Sequence, residues 1–209
     1  MKQFIFAVAI MATAIGANAQ SERYTAAMEK NLTLLDSAKT TTDLQAVSSA
    51  FERIGDAEKT QWLPYYYAAL AQTNIGWADQ KADKDAIGNK AAALAGKGEA
   101  IEKNSELCII RNMAATIQMM VNPQERWQTY GKQANEALAE GMKLDPNNPR
   151  LYYLKGMSLF NTPEAFGGGK DKAKVQFEKA MELFNKENPK PLYPRWGKKE
   201  TEEMLKQCN

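Results

Sequence analysis

Apolar side chains recur at steps of three and four through nearly every segment between breakers, and no stretch sustains the strict alternation of a half-buried strand. The pattern predicts an all-helical protein. The first helix carries Tyr24, Met28, Leu32 and Leu35, and the second carries Leu44, Val47, Phe51 and Ile54 behind a threonine-rich cap at Thr40 to Thr42. A third runs from about Trp62 to Lys81, and a fourth shows Ile87, Ala91, Leu94 and Ile101 on one stripe. The fifth, about Ser105 to Val121, is apolar on two faces through Leu107, Ile110, Ala114, Ile117 and Met113, Met120, which implies a middle layer. Tyr130, Ala134, Leu138 and Gly141 mark a sixth helix, Leu151, Leu154 and Met157 a seventh, and Ala173, Phe177, Ala180 and Phe184 an eighth. A short ninth closes the chain from Arg195 to Gln207.

Three of these helices share a small-x3-large-x2-small pattern: Ala93, Lys97, Ala100; Ala134, Leu138, Gly141; and Ala173, Phe177, Ala180, with Lys97 the poorest fit. Their last small positions lie 41 and 39 residues apart, and five residues beyond them Ser105, Pro146 and Asn185 are expected to stop each helix. A helical hairpin repeated at such a spacing stacks into a solenoid, whose usual work is holding other molecules. Small residues at the crossings let two backbones approach closely. Asn122-Pro123, Asn148-Pro149 and Thr162-Pro163 each pair a capping side chain with a proline that gives up a donor the first turn cannot use, so each can start a helix. Asn188-Pro189 and Tyr193-Pro194 are expected to end the eighth helix and open the ninth.

The Ala173, Phe177, Ala180 triplet resembles the second helix of the tetratricopeptide repeats, which places Ala, an aromatic and Ala at this spacing. Gly156, flanked by Tyr152 and Leu159, sits where the first helix of that family has a small residue, and Asp145 to Arg150 is similar to its acidic-proline junction. The likeness spans roughly Trp62 to Pro189 and departs from the family where Thr162 to Gly169 and Val121 to Arg126 expand the turns. It implies antiparallel helical hairpins stacked as a short tetratricopeptide-like solenoid of about nine helices: an N-terminal pair at 20–60, three repeat-like hairpins at 61–189 and a capping helix at 190–209. It also implies a concave binding face, similar to that of secreted repeat proteins of bacterial envelopes.

Residues 1–19 read as a secretory signal peptide: Lys2, an apolar run from Phe4 to Ile15, then Ala17-Asn18-Ala19. The run is shorter than the roughly 20 residues of a membrane span. Cleavage after Ala19 places the chain in the periplasm or outside the cell as one domain, residues 20–209; the competing reading is an uncleaved anchor. The formal charge of +2 falls to +1 with Lys2 gone, and acids and bases are interspersed. Neither nucleic acid nor an anionic membrane surface is expected as a partner. A disulfide between Cys108 and Cys208 is chemically permitted after export, while the neighbours Leu107, Ile109 and Ile110 favour Cys108 as a small core residue.

The 209 residues contain no histidine, which removes the usual triad base and the commonest metal ligand. Two cysteines cannot form a four-cysteine zinc site, and no acidic run has calcium-loop spacing, so neither an enzyme, a metal site nor a cofactor is expected. Phe166-Gly167-Gly168-Gly169-Lys170 invites a phosphate-loop reading, but Glu164 stands where the first glycine should and Asp171 where Ser or Thr should. A tight turn with Phe166 plugging the hairpin is the plainer reading; an anion site at Gly167, Gly168 and Gly169 is the alternative. Lys170 at a helix start is poorly placed for the dipole, which leaves room for an acidic partner.

Aromatic residues are the better lead: Trp62 with Tyr65, Tyr66 and Tyr67, then Trp127 and Tyr130, Tyr152 and Tyr153, Tyr193 and Trp196. Three consecutive tyrosines span about 200 degrees of a helix, so one, taken as Tyr66, should face a groove. With Gly156 as the small position, the resemblance places Arg150, Tyr153, Met157 and Phe160 on the concave face. The same register with Ala115 points to Asn112, Thr116 and Met119, with Arg111 nearby. The first functional expectation is an exported module that docks an extended or helical segment of another envelope protein. The alternative is a small-ligand binder, serving a transporter, with an aromatic-lined pocket closed by the Phe166 loop. A structural homo-oligomer fits the same core.

Overall fold

The computed structural model describes residues 22–208, all of whose regular structure is helical; the signal-peptide reading of residues 1–19 lies outside the described residues. Helix α1 spans residues 22–37, α2 Thr41–Glu58, α3 Leu63–Ala78, α4 Lys84–Glu99 and α5 Ser105–Met119. A short α6, Pro123–Arg126, runs through a π-helical turn at Trp127–Gly131 into α7, Lys132–Leu144. Then come α8, Pro149–Phe160, a 3-10 turn at Glu164–Phe166, α9, Lys170–Phe184, and α10, Lys198–Gln207. Among the described residues no helix is long and apolar enough to cross a membrane.

The starts of these helices follow from their caps. Thr40 and Asp43 form a reciprocal capping box on α2, the Thr40 hydroxyl accepting from the Asp43 N–H at 3.1 Å and the Asp43 carboxylate from the Thr40 N–H at 3.0 Å. Asn148 accepts from the Arg150 N–H at 3.0 Å, with Pro149 as the first helical residue of α8. Some boundaries differ from the sequence expectation. Ser105 does not stop a helix but opens α5, because Asn104 caps it by accepting from the Leu107 N–H. α3 ends at Ala78, short of Lys81, and the Lys84 ammonium donates to the Gly76 carbonyl there. α10 begins at Lys198, not Arg195, because Gly197 adopts φ 107° and the Glu200 carboxylate accepts its N–H at 3.0 Å. The expected sixth helix is interrupted by the π turn.

Consecutive helices pack as antiparallel neighbours from α2 to α5, α5 continues onto α7, and α8 pairs with α9. The two-faced α5 is the middle layer: it touches α3, α4, α7 and α8, and Leu107, Cys108, Ile109, Ile110 and Ile117 on it are fully buried. Both cysteines are free, Cys108 in this core with its thiol pushed up to about 11 by burial, so the disulfide alternative is set aside. The small crossings are tight: a Cβ on Gly156 would lie 2.5 Å from the Phe177 ring of α9, and one on Gly141 2.7 Å from Leu151. The misfit Lys97 has its own logic. Its ammonium reaches Glu52 and Asp56 at 3.0 Å each and lies over the Tyr65 ring, so an ion pair to α2 stands where the other hairpins have an apolar side chain.

α7 and α8 meet at the Gly141–Leu151 crossing but have little further contact, and the chain bridges the resulting opening with an irregular strap at residues 185–197. Three hydrogen bonds, one of them fully buried, pin that strap to the core. The Tyr67 hydroxyl donates to the Leu192 carbonyl at 2.7 Å, the Arg150 guanidinium to the Pro194 carbonyl at 2.6 Å, and the Trp196 indole N–H to the Tyr66 hydroxyl at 2.7 Å. Arg150, 1% exposed, also pairs with Glu187 at 2.6 Å and Glu106 at 3.3 Å and lies over the Phe184 and Trp196 rings. Burial pushes the Glu106 carboxyl up despite this partner.

Two stability outcomes follow from this packing. Gly156→Leu drives a side chain into Phe177 and should cost about 1–3 kcal/mol, read by urea denaturation; an unchanged midpoint would remove the close crossing. Arg150→Met strands Glu106 in the core and frees the strap, for which a loss of about 3–5 kcal/mol is expected. Parental stability in that variant would show that the strap holds without the guanidinium.

Candidate functional site

Because α7 and α8 splay apart, the concave side of the molecule is a groove of about 2710 Å³. α1 contributes Leu32 and Leu35 to it, α3 Tyr67, Leu70 and Trp77, and α5 Asn112, Met113, Thr116 and Met119. The facing side comes from Ala134 and Ala139 of α7 and Tyr153, Leu154 and Met157 of α8, and the strap closes one end with Leu192, Tyr193 and Trp196. The exposed lining is mostly apolar, with aromatic faces and thioethers set among polar side chains such as Asn74, Gln124 and Asn135. Methionine sulfur and aromatic rings are polarizable and adapt to a flat apolar partner.

Large apolar side chains left in solvent stand at the groove. Phe166 is 81% exposed and Trp127 58% exposed, and Met120 and Trp77 are also open to water; all four belong to the lining. Trp127 owes its place to the π turn, whose extra residue shifts the helix face, and Gly131 at its end leaves room for the Met119 sulfur, 3.1 Å from where a Cβ would stand. Phe166 owes its place to the glycine turn. It therefore stands at the groove and does not plug the hairpin. Soluble monomers seldom expose such groups together without a use for them.

The expected site residues divide by where the helices carry them. Asn112, Met119, Tyr153 and Met157 line the groove, as do Gly167 and Gly168. Asn112 is there as a strut, its side-chain amide donating to the Ala134 carbonyl at 2.9 Å. Tyr66 and Arg150 do not face it: both are fully buried and serve the strap. Arg111 is spent on Glu99 and Glu140, at 3.1 and 2.7 Å, which tie α5 to α4 and α7. Phe160 lies outside the lining, with the Lys170 ammonium over its ring.

The anion reading of the glycines fails for a physical reason. The N–H of Gly167 donates to the Glu164 carbonyl, that of Gly168 to Pro163 and that of Gly169 to Leu159, so none is left for a ligand. Gly167 and Gly169 have φ of 88° and 110°, and a Cβ on Gly168 would fall 2.0 Å from the Thr162 carbonyl oxygen, so the turn needs glycine. Lys170 does not await an acidic partner; it donates to the Gln207 carbonyl at the end of α10. Of the three tyrosines, only Tyr67 reaches the groove, and its hydroxyl is bonded to the strap.

Trp77, Met113, Met120 and Arg195 line the groove without having been among the expected site residues, whereas Trp127 belongs to the aromatic lead and Phe166 to the loop expected to close the small-ligand pocket. Met113 and Met120 had been placed on the second apolar face of α5, which is the signal that could have found them.

Among the described residues no group of three or more Cys, Asp or Glu could hold a metal ion. The Tyr153 hydroxyl has no hydrogen bond among the described residues, and burial pushes its pKa up to about 12. No protein-family model matches this sequence, and no curated protein does either. Among solved structures, the HusA haemophore from Porphyromonas gingivalis is 33% identical over 88% of this chain and 92% of that chain, with a TM-score of 0.81. With an all-helical fold in common and a third of the residues identical across nearly the full length of both, this chain belongs to the family of the HusA haemophore.

Proposed function

We propose that this protein is an exported carrier that takes haem into the groove between α7 and α8. The observation that carries the reading is an apolar, aromatic- and methionine-lined groove in a relative of a haemophore. Ordinary small-molecule pockets run from about 300 to 1,000 Å³, and 2710 Å³ offers space for a broad planar ligand. Haem meets that description: a flat macrocycle with two apolar faces and a carboxylated edge.

The residues fit the macrocycle better than they fit its iron. With no histidine in the chain, the candidate axial ligands in the lining are the sulfurs of Met113, Met119, Met120 and Met157 and the tyrosine oxygens. Tyr67 is occupied by Leu192 and Tyr153 resists deprotonation, so a phenolate at either of these two is costly. Affinity therefore comes from burying the two faces of the ring against Tyr153, Trp196 and the methionines.

The docking-module reading, first in the sequence analysis, ranks behind this one, since the haemophore relative favours the small-ligand alternative. A binding protein with no catalytic role suits the same relationship, and an exported location, read from residues 1–19, suits a carrier. The small crossings at Gly156, Ala173 and Ala180 support a tetratricopeptide-like scaffold beneath the groove.

Titrating the purified chain with haemin should give a saturable change in the Soret band and quench tryptophan fluorescence, because Trp77, Trp127 and Trp196 line the groove. Trp127→Ala combined with Phe166→Ala should weaken binding about 10-fold or more at an unchanged melting temperature. Unsaturable uptake, or parental affinity in the double variant, would overturn the assignment.

A further inference from the structure

The charges in the groove are not equivalent. Lys132 faces its own helix, pairing with Glu136 at 3.8 Å, and Glu200 is engaged by the Gly197 N–H. Glu29 and Asp36 come from α1. That leaves Arg195, the arginine of the lining, which is exposed and has neither an ion pair nor a hydrogen bond among the described residues. Three other arginines, Arg111, Arg126 and Arg150, each hold a carboxylate of another helix.

Arg195 is nevertheless held in place. Its two neighbours are among the best-anchored points of the strap, Pro194 through its carbonyl on Arg150 and Trp196 through its indole N–H on Tyr66. A backbone fixed on both sides carries a long cationic side chain with no internal partner into an apolar groove. Retaining an unpaired guanidinium there makes sense when the ligand brings the anion. The planar fork matches a carboxylate with two parallel hydrogen bonds, which an ammonium cannot do. Trp196 stands edge-on to Tyr153 with centroids 6.2 Å apart, so a flat ligand stacked on one of these rings meets the edge of the other, and Arg195 immediately precedes Trp196 in the chain.

We propose that Arg195 is the specificity-determining residue of the groove, selecting planar apolar ligands that carry a carboxylate and binding that carboxylate directly. The inference rests on the haem reading above, in which the carboxylates are the two propionates. It separates the source of affinity, the ring faces, from the source of choice, one charge on the strap.

The test compares haemin with its dimethyl ester, in one mixed solvent, on the parent protein, Arg195→Gln and Arg195→Lys. Arg195→Gln should weaken haemin about 10- to 100-fold, leave the ester within about 2-fold of the parent and keep the melting temperature. Arg195→Lys should recover only part of the loss. Equal weakening of acid and ester, or of neither, would overturn the role of Arg195 while the haem reading stands. Failure of the parent to bind either ligand would overturn both.

Discussion

The guanidinium of Arg150 joins parts of this molecule that no helix connects. It sits on α8, meets Glu106 of α5 and Glu187 at the start of the strap, donates to the Pro194 carbonyl and lies between two aromatic rings. A charge so deeply buried is tolerated only when its donors are nearly all matched, and the desolvation of the three ions consumes much of what their attraction returns. What the cluster supplies is position. α7 and α8 are left apart, and one wall of the groove is a segment without regular structure. Arg150, with Tyr66 and Tyr67, gives that segment a fixed course.

The groove itself is a departure from the rule that apolar surface is buried. α3 and α4 from the N-terminal stack and α7 from beyond it pack on α5, and the main hydrophobic cluster gathers around this layer. The same middle helix carries Met113, Thr116 and Met119 into the groove lining near its C-terminal end. Stability is thus concentrated in the N-terminal stack and the α8–α9 pair, and the space between them remains open without endangering the fold. Electrostatics repeat the division: Lys97 with Glu52 and Asp56, and Arg111 with Glu99 and Glu140, lace helices together away from the opening, whereas the groove lining carries few polar bonds.

Periodicity made the helices legible, and their starts could be read wherever a cap is chemical, as at Thr40 and Asn148. Small residues at Gly141 and Gly156 announced close crossings for the same reason. The site was less legible, because period reveals which residues share a face but not whether that face meets the core or open space. Tyr66 and Tyr153 look alike in sequence, yet one is sealed beneath the strap and the other looks into the groove. Arg150 has the chemistry of a recognition residue, and only the arrival of Glu187 and Pro194 from far along the chain converts it into a keystone. The π turn that presents Trp127 leaves no mark in the hydrophobic pattern.

The strap also sets the order in which the molecule can be completed. Its bonds join Tyr67 to Leu192 and Tyr66 to Trp196, partners 125 and 130 residues apart, whereas the helical stack forms largely between neighbours in sequence. Contacts across so long a loop form only after the intervening chain has been ordered by its own local packing. The scaffold is therefore a local product and the enclosed groove a global one. A chain whose stack is already formed remains an open trough until its last-made segment folds back across three-fifths of the sequence and turns it into a vessel.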